Sequence, residues 1–266
     1  MANLYQAAAG MDRLERLSLG DSPVHRLHPF VKLITAIVYI GVVISFPASA
    51  VSGLVPFLLY PCLLIPASGT PLRPLAGRLL CALPFSLMGA VSNLILMRDA
   101  AFSIGGFSVS FGMLSFVSIM LKTFLTVCAV LLLIATTPFT EISAQLARLR
   151  VPKIVCLQLI MTYRYIGLLL REAASMMSAY FLRAPKQKGI RMKDMGSFLG
   201  QLILRSGDRS SRVYQAMQCR GFRGVYSGSL RGGPGPSGWL YTAALVSGIL
   251  FLRFFNFSLF LGTLAG

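Results

Sequence analysis

The sequence FGMLSFVSIMLKTFLTVCAVLLLIAT, from Phe111 to Thr136, decides the fold class of this protein. It contains no acidic residue and is longer than the roughly 20 apolar residues that a helix needs to cross a bilayer. Four more apolar segments lie at about 31–46, 51–65, 79–97 and from 239 to the C-terminus. Because helices satisfy their own backbone hydrogen bonds in lipid, the pattern predicts an all-α integral membrane protein with about five transmembrane helices.

The composition supports the membrane class. Of the 266 residues, 55% are hydrophobic and only 12% are charged, about half the charged fraction of an average soluble domain. The net charge is +17, and residues 139–231 contain 16 basic and 4 acidic side chains. This basic block lies between two apolar segments, so it is held near a membrane surface. We therefore expect membrane lipid as a partner, and no nucleic acid.

The distribution of lysine and arginine predicts the orientation of the chain, because cytoplasmic loops carry the excess of these residues. Segment 1–30, the loop that contains Arg73 and Arg78, and the block 139–231 are placed in the cytoplasm. We expect a multi-pass protein of the cell (inner or plasma) membrane. Its predicted parts are a cytoplasmic N-terminal segment (1–30), transmembrane helices 1–4 (31–138), a cytoplasmic coupling domain (139–231) and a linker with the last transmembrane helix (232–266).

The basic block itself is predicted to consist of long amphipathic helices, one from Lys153 to Arg183 and one that begins near Asp194. In the second helix three arginines recur at i, i+4 and i+7 and therefore share a face. The methionine and aromatic side chains along both helices are typical either of a packed core or of a surface that can repack against a partner.

The sequence lacks the motifs of several function classes. It has no GxxxxGK[ST] motif for nucleotide phosphates, no spacing typical of a catalytic site, and no metal-binding cluster. No carboxylate lies in the middle of a predicted span, which counts against a stand-alone channel or secondary carrier. His25 and His28 are interpreted as polar residues at the membrane interface. We therefore expect a non-catalytic protein without a cofactor of its own.

Three stretches together indicate a family. They are LGDSPVHRLHP (19–29) followed by Lys32, then ATTPF (135–139) with LRVP (149–152) and YRYI (163–166), and finally LRSGDRSSRVYQAMQCRGF (204–222). With these stretches the chain resembles the transmembrane T subunit of energy-coupling-factor (ECF) transporters, most closely the cobalt-type CbiQ. The likeness covers nearly the whole chain.

The resemblance implies a function. A T subunit joins a membrane substrate-binding subunit to two cytoplasmic ABC ATPases, which bind ATP and Mg²⁺, and arginines at the ends of two coupling helices dock on the ATPases. The expected substrate-binding partner is CbiM-like, with a small CbiN-like subunit as a further candidate. The expected cargo is cobalt(II), and nickel, biotin or another vitamin remain alternatives. The implied ATPase-coupling residues are Leu182, Arg183, Ala184, Cys219, Arg220 and Gly221, with Ala216, Met217 and Phe222 as supporting residues.

Helix-end chemistry is compatible with this role. Arginine is favourable at a helix C-terminus, and a following glycine permits a left-handed cap. Arg220-Gly221 has this pattern, whereas Arg183 is followed by alanine. Ordinary helix capping would also explain Arg220-Gly221. In the docking interpretation, the planar guanidinium of Arg220 also binds a carboxylate of the partner.

Overall fold

The computed structural model describes residues 18–47, 51–96, 100–104, 107–184, 187, 189–222 and 235–254, together with Gly10 and Glu15. The chain divides into two compact units. One contains residues 17–137 and 232–266, and the other contains residues 1–16 and 138–231. Most of the predicted linker before the last span, and the chain after Phe254, lie outside the described residues.

The described secondary structure is almost entirely helical, which confirms the predicted all-α membrane fold. A short antiparallel hairpin between two long helices is the one departure within the described residues. In chain order the elements are α1 (Pro23–Arg26), α2 (Pro29–Ile44), α3 (Val51–Leu54), a 3-10 turn (Val55–Leu58), α4 (Leu59–Ser68), α5 (Leu72–Leu96), β1 (Ala100–Ile104), β2 (Phe107–Ser110), α6 (Phe111–Thr136), α7 (Phe139–Leu146), a 3-10 turn (Ala147–Leu149), α8 (Lys153–Arg183), α9 (Met192–Cys219) and α10 (Pro236–Phe254).

Length and composition identify the helices that are able to cross a membrane. Among the described residues these are Val51–Ser68, Leu75–Ile95, Phe111–Thr136 and Lys153–Arg183. The first three confirm predicted spans. The first predicted span is a shorter apolar helix, α2, whose 16 residues reach about 24 Å against the roughly 30 Å of hydrocarbon. The fifth predicted span is described as the apolar helix Gly238–Arg253.

The core of the first unit is built around Tyr39, which is fully buried on α2. Its ring stacks on Tyr60 with the centroids 4.2 Å apart, and its hydroxyl donates a hydrogen bond of 2.8 Å to the Phe57 carbonyl. That carbonyl has no helical partner four residues on, because Pro61 lacks an N–H. The tyrosine therefore compensates for the proline that interrupts this span.

Two cations meet the C-terminal end of α2. The ammonium group of Lys122, in the middle of α6, donates a hydrogen bond to the Phe46 carbonyl. Arg253 of α10 lies 4.2 Å above the Phe46 ring and donates a hydrogen bond of 3.4 Å to the Ser45 carbonyl. Positive charge is favourable at this end, where the helix leaves its last carbonyls without partners.

The second unit consists of α7, α8 and α9. The short helix α7 packs on the start of α8, where the rings of Phe139 and Tyr163 stack at 4.7 Å. The structure has α8 at its predicted bounds and begins α9 at Met192, two residues before the predicted start. No residue of α9 is buried, so this helix lies against its neighbour with most of its surface exposed.

Candidate functional site

The end of α9 forms a complete glycine cap around Arg220. Helical geometry stops at Cys219, and Gly221 has φ of +79°, in the left-handed region. The Gly221 N–H donates to the Gln218 carbonyl at 2.9 Å, and the Phe222 N–H donates to the Met217 carbonyl at 3.0 Å. These are the two hydrogen bonds of the Schellman motif, and they fix the direction in which the chain leaves the helix.

The predicted supporting residues divide by exposure. Met217 and Phe222, which the cap brings together, are half-buried and line the same groove, whereas Ala216 is exposed on another face. Arg220 and Cys219 are exposed. The guanidinium of Arg220 is thus carried on a helix end whose backbone is fixed and whose surroundings are open.

The end of α8 is different. Arg183 is the last helical residue, and Ala184 has an ordinary negative φ of −132° while its N–H donates to the Tyr180 carbonyl at 3.0 Å. Leu182 is 83% exposed, and Arg183 is exposed beside it. This end therefore presents an apolar side chain and a cation without the glycine cap that fixes the end of α9.

A side-chain network holds the end of α8 against the start of α9. The Tyr180 hydroxyl donates to the Asp194 carboxylate at 2.8 Å. Because a phenol has one proton to donate, the Gln187 amide is oriented with its nitrogen toward this hydroxyl, at 2.6 Å, and its oxygen toward the Arg191 guanidinium, at 2.7 Å. Four side chains from two helices and their connection thus close this end of the pair.

The contacts make α8 and α9 an antiparallel pair. Tyr180 meets Asp194, and Glu172, eight residues earlier, meets Arg205, eleven residues later. Arg183 and Arg220 therefore lie at opposite ends of the pair. The 28 residues of α9 place them about 40 Å apart at roughly 1.5 Å per residue. The structure does not bring the two predicted coupling arginines into one site.

A groove of about 810 Å³ separates α8 and α9 toward the end that carries Arg220. Its lining is mainly apolar, with methionine and aromatic side chains from both helices. Exposed apolar side chains continue along α9 at Met192, Leu199, Ile203 and Tyr214. The predicted alternative of a surface able to repack therefore fits α9, which has no buried residue, better than a closed core does.

The sequence stretch around His25 and Lys32 meets the start of the second stretch, at residues 135 and 136, within the first unit. The Lys32 ammonium donates to the Thr136 carbonyl at 2.7 Å, and the His25 imidazole lies 3.3 Å from the Ala135 carbonyl. The motif around His25 thus caps the C-terminus of α6. This role could not be predicted from the sequence, because the partners of Lys32 and His25 are backbone carbonyls more than 100 residues away.

Within the part of the chain that the structure describes, no group of three or more histidine, cysteine, aspartate or glutamate side chains is placed to hold a metal ion. The described cysteines are free thiols. The arrangement instead offers exposed guanidinium groups at two helix ends and an apolar groove between the helices. These features suit protein–protein contact.

Comparison with known proteins agrees with this description. No curated protein matches the chain. A family model described as "Cobalt transport protein", CbiQ, matches residues 20–229 and so covers most of the chain. The matched range includes the motif around His25, the membrane helices up to α6, and the pair α8 and α9 with both arginine ends. The chain therefore belongs to the CbiQ family of cobalt transport proteins.

Proposed function

We propose that this chain is the transmembrane coupling (T) subunit of an ECF-type importer of cobalt(II), and that it transmits motion from two cytoplasmic ABC ATPases to a substrate-binding membrane subunit. The observation that carries the proposal is the antiparallel pair α8 and α9, in which Arg183 and Arg220 are exposed at opposite ends. The chain itself is not an enzyme; ATP and Mg²⁺ belong to the ATPases.

The two arginine ends suit two ATPase copies. A separation of about 40 Å exceeds the roughly 30 Å diameter of a small domain, which leaves room for a separate partner at each guanidinium. Each arginine docks in a groove and binds a carboxylate through two parallel hydrogen bonds. Gly221 fixes the backbone at the Arg220 end before docking, which reduces the conformational entropy that this helix end loses on binding.

The apolar groove and the exposed apolar face of α9 are assigned to the substrate-binding subunit, which we expect to be CbiM-like, with a CbiN-like subunit as a further candidate. Methionine side chains adapt to a moving partner because they are flexible and polarisable. Motion of the Arg220 end changes the width of the groove, and a helix of the partner seated there moves with it. Cobalt(II) is the proposed cargo because the family is one of cobalt transport.

The proposal places residues 139–231 in the cytoplasm. Helix α8 is long enough to cross a membrane, but it carries Arg164, Arg171 and Glu172 in its interior. Charged residues at such positions are costly in hydrocarbon. Glu172 is paired with arginines of α9, a helix too polar to enter lipid. These charges support a position outside the hydrocarbon, and the excess of lysine and arginine in residues 139–231 supports the cytoplasmic side.

Co-purification tests the docking proposal. The chain carries an affinity tag, is co-expressed with the ATPases and substrate-binding subunit of the same transporter, and is isolated in mild detergent. Arg220→Glu should abolish ATPase recovery, because loss of one desolvated anchor costs about 2–4 kcal/mol and the new charge repels the partner carboxylate. Arg212→Glu, at an exposed position about two turns before the end of α9, is the matched control.

The membrane extracts should contain equal amounts of each variant. Loss of ATPase with Arg220→Glu and normal recovery with Arg212→Glu is the expected pattern. Normal ATPase recovery with Arg220→Glu contradicts the proposed function.

A further inference from the structure

Two cations from different helices meet the segment that follows α2. The ammonium group of Lys122, on α6, donates a hydrogen bond to the Phe46 carbonyl, and the guanidinium of Arg253, on α10, lies 4.2 Å above the Phe46 ring. Arg253 also donates hydrogen bonds to the Ser45 carbonyl at 3.4 Å and to the Ser45 hydroxyl at 3.5 Å. Both positive charges therefore contact the same two residues.

No carboxylate of the described residues balances this charge. The first unit contains two acidic residues, Asp21 and Asp99. Asp21 precedes α2 and forms its own salt bridge there, and Asp99 lies outside the described residues. Within the part of the chain that the structure describes, neither Lys122 nor Arg253 forms an ion pair. The C-terminal dipole of α2 supplies only about −0.5 charge against two full positive charges.

Helix lengths place the two cations near one edge of the hydrocarbon. Counted from the cytoplasmic edge, α2 reaches about 24 Å, and the 17 steps from Pro236 to Arg253 in α10 reach about 26 Å. Both lengths fall a few ångströms short of the roughly 30 Å of hydrocarbon. Lys122 lies 14 residues before Thr136, at about 21 Å, and its side chain leans toward the N-terminus of α6 and so toward the same edge. With residues 139–231 in the cytoplasm, this is the edge of the outer leaflet.

The surface beside the two cations suits a phospholipid. Ser45 is exposed and offers a hydroxyl group, and the adjacent Ile44 is 61% exposed. On α10, Phe251 is 60% exposed. These apolar side chains give acyl chains a surface to lie on, at the level where the phosphate groups of the leaflet begin. A guanidinium binds two phosphate oxygens at once, and a lysine ammonium adds a point charge.

We propose that Lys122 and Arg253 form a binding site for the phosphate group of an anionic phospholipid in the outer leaflet, with the Ser45 hydroxyl as a further donor. Cations at the edge of the hydrocarbon are costly unless an anion pairs with them. One phosphate monoanion, together with the helix dipole, neutralises most of the charge of the pair. The bound lipid joins α2, α6 and α10 at the end where α2 is too short to reach the bilayer surface.

Native mass spectrometry tests the site. The full-length chain in mild detergent is titrated with phosphatidylglycerol, with phosphatidylcholine or with inorganic phosphate, and the bound fraction gives each dissociation constant. Phosphatidylglycerol should occupy one tight site per chain, and the other two probes should bind more weakly. Arg253→Gln should raise the dissociation constant for phosphatidylglycerol about tenfold, because a hydrogen bond to a charged group is lost. Arg253→Lys keeps the charge and should have a smaller effect.

Arg78→Gln is the matched control. Arg78 is an exposed arginine of the same unit, on α5, and its removal lowers the net charge by the same amount. The affinity for phosphatidylglycerol should not change. Lys122→Met tests the second cation and should also weaken binding about tenfold. If Lys122→Met does not fold, Arg253→Gln still decides, because the contacts of Arg253 lie at the exposed side of the site.

Equal dissociation constants for phosphatidylglycerol in the unaltered chain, Arg253→Gln and Arg78→Gln overturn the proposal. Inorganic phosphate that binds as tightly as phosphatidylglycerol also overturns it, because the site would then take any phosphate. A carboxylate of a partner protein is the remaining occupant. Loss of the substrate-binding subunit from the co-expressed complex with Arg253→Gln, at unchanged affinity for phosphatidylglycerol, would assign the two cations to that partner and refute the lipid site.

Discussion

Gly221→Ala isolates the contribution of the helix cap to ATPase docking. Gly221 has φ of +79°, and a Cβ built at this position meets no atom within 4 Å. The substitution therefore introduces no clash with neighbouring groups, and its whole cost is the strain of an alanine in left-handed geometry. That strain is about 1–2 kcal/mol.

The strain energy of alanine at position 221 sets the expected loss of affinity for the ATPase. Alanine either keeps the strained cap or releases it and lets the end of α9 lose the two hydrogen bonds made by the N–H groups of residues 221 and 222. Docking of Arg220 must then restore the native end, so the dissociation constant for the ATPase should rise by about 5- to 30-fold. Gly221→Asn should have a smaller effect, because asparagine tolerates left-handed geometry better than alanine does.

Gly207→Ala is the matched control. Gly207 lies inside α9 with no atom within 4 Å of a built Cβ and without a positive φ. Alanine there removes backbone freedom from the unfolded chain and should stabilise the helix by about 0.5–1 kcal/mol. Biolayer interferometry of the purified ATPases binding to the unaltered chain and to each variant in nanodiscs gives the dissociation constants. Equal affinities for Gly221→Ala and the unaltered chain would refute the reasoning.

Three further substitutions test the packing of the first unit, each by thermal unfolding in detergent. Lys122→Met leaves the Phe46 carbonyl without its donor and should destabilise the protein by about 1–3 kcal/mol; an unchanged melting temperature would count against this contact. Tyr39→Phe removes the side-chain donor to the Phe57 carbonyl and should cost a similar amount; a melting temperature equal to that of the unaltered protein would contradict this contact. Gly53→Ala places a Cβ 2.6 Å from the Phe46 ring and should cost about 1–3 kcal/mol, so a neutral result would mean that the ring moves freely.

The helices of this protein were largely predictable from the sequence because their signals are local. The apolar run 111–136 predicts α6 with the bounds that the structure has. The run that follows Pro152 predicts α8 as Lys153–Arg183, which also agrees with the structure. Arg220-Gly221 predicted a helix end with a left-handed glycine, and the structure has it there. Arg183 is the last residue of α8, as predicted. No glycine follows it, so nothing in the local sequence distinguishes this helix end from other helix ends.

Contacts to backbone carbonyls could not be predicted, because a carbonyl has no signature in the sequence. Lys122 is a single cation in an apolar run, and its partner is the main chain of residue 46. Lys32 binds the main chain of residue 136 for the same physical reason. The sharing of Glu172 by two arginines depends on the register of α8 against α9, which periodicity alone does not fix.

The position of Cys219 allows the most direct test of the central claim that the Arg220 helix end meets an ATPase in the cytoplasm. This thiol is exposed and adjacent to Arg220. A photoreactive, membrane-impermeant maleimide is applied to intact cells and to inverted membrane vesicles, and cross-linked products are identified by mass spectrometry, with Cys219→Ser as the control. We expect labelling of Cys219 only in inverted vesicles and a cross-link to an ABC ATPase. Labelling of Cys219 from outside intact cells, or vesicles that yield no ATPase cross-link, would contradict the account.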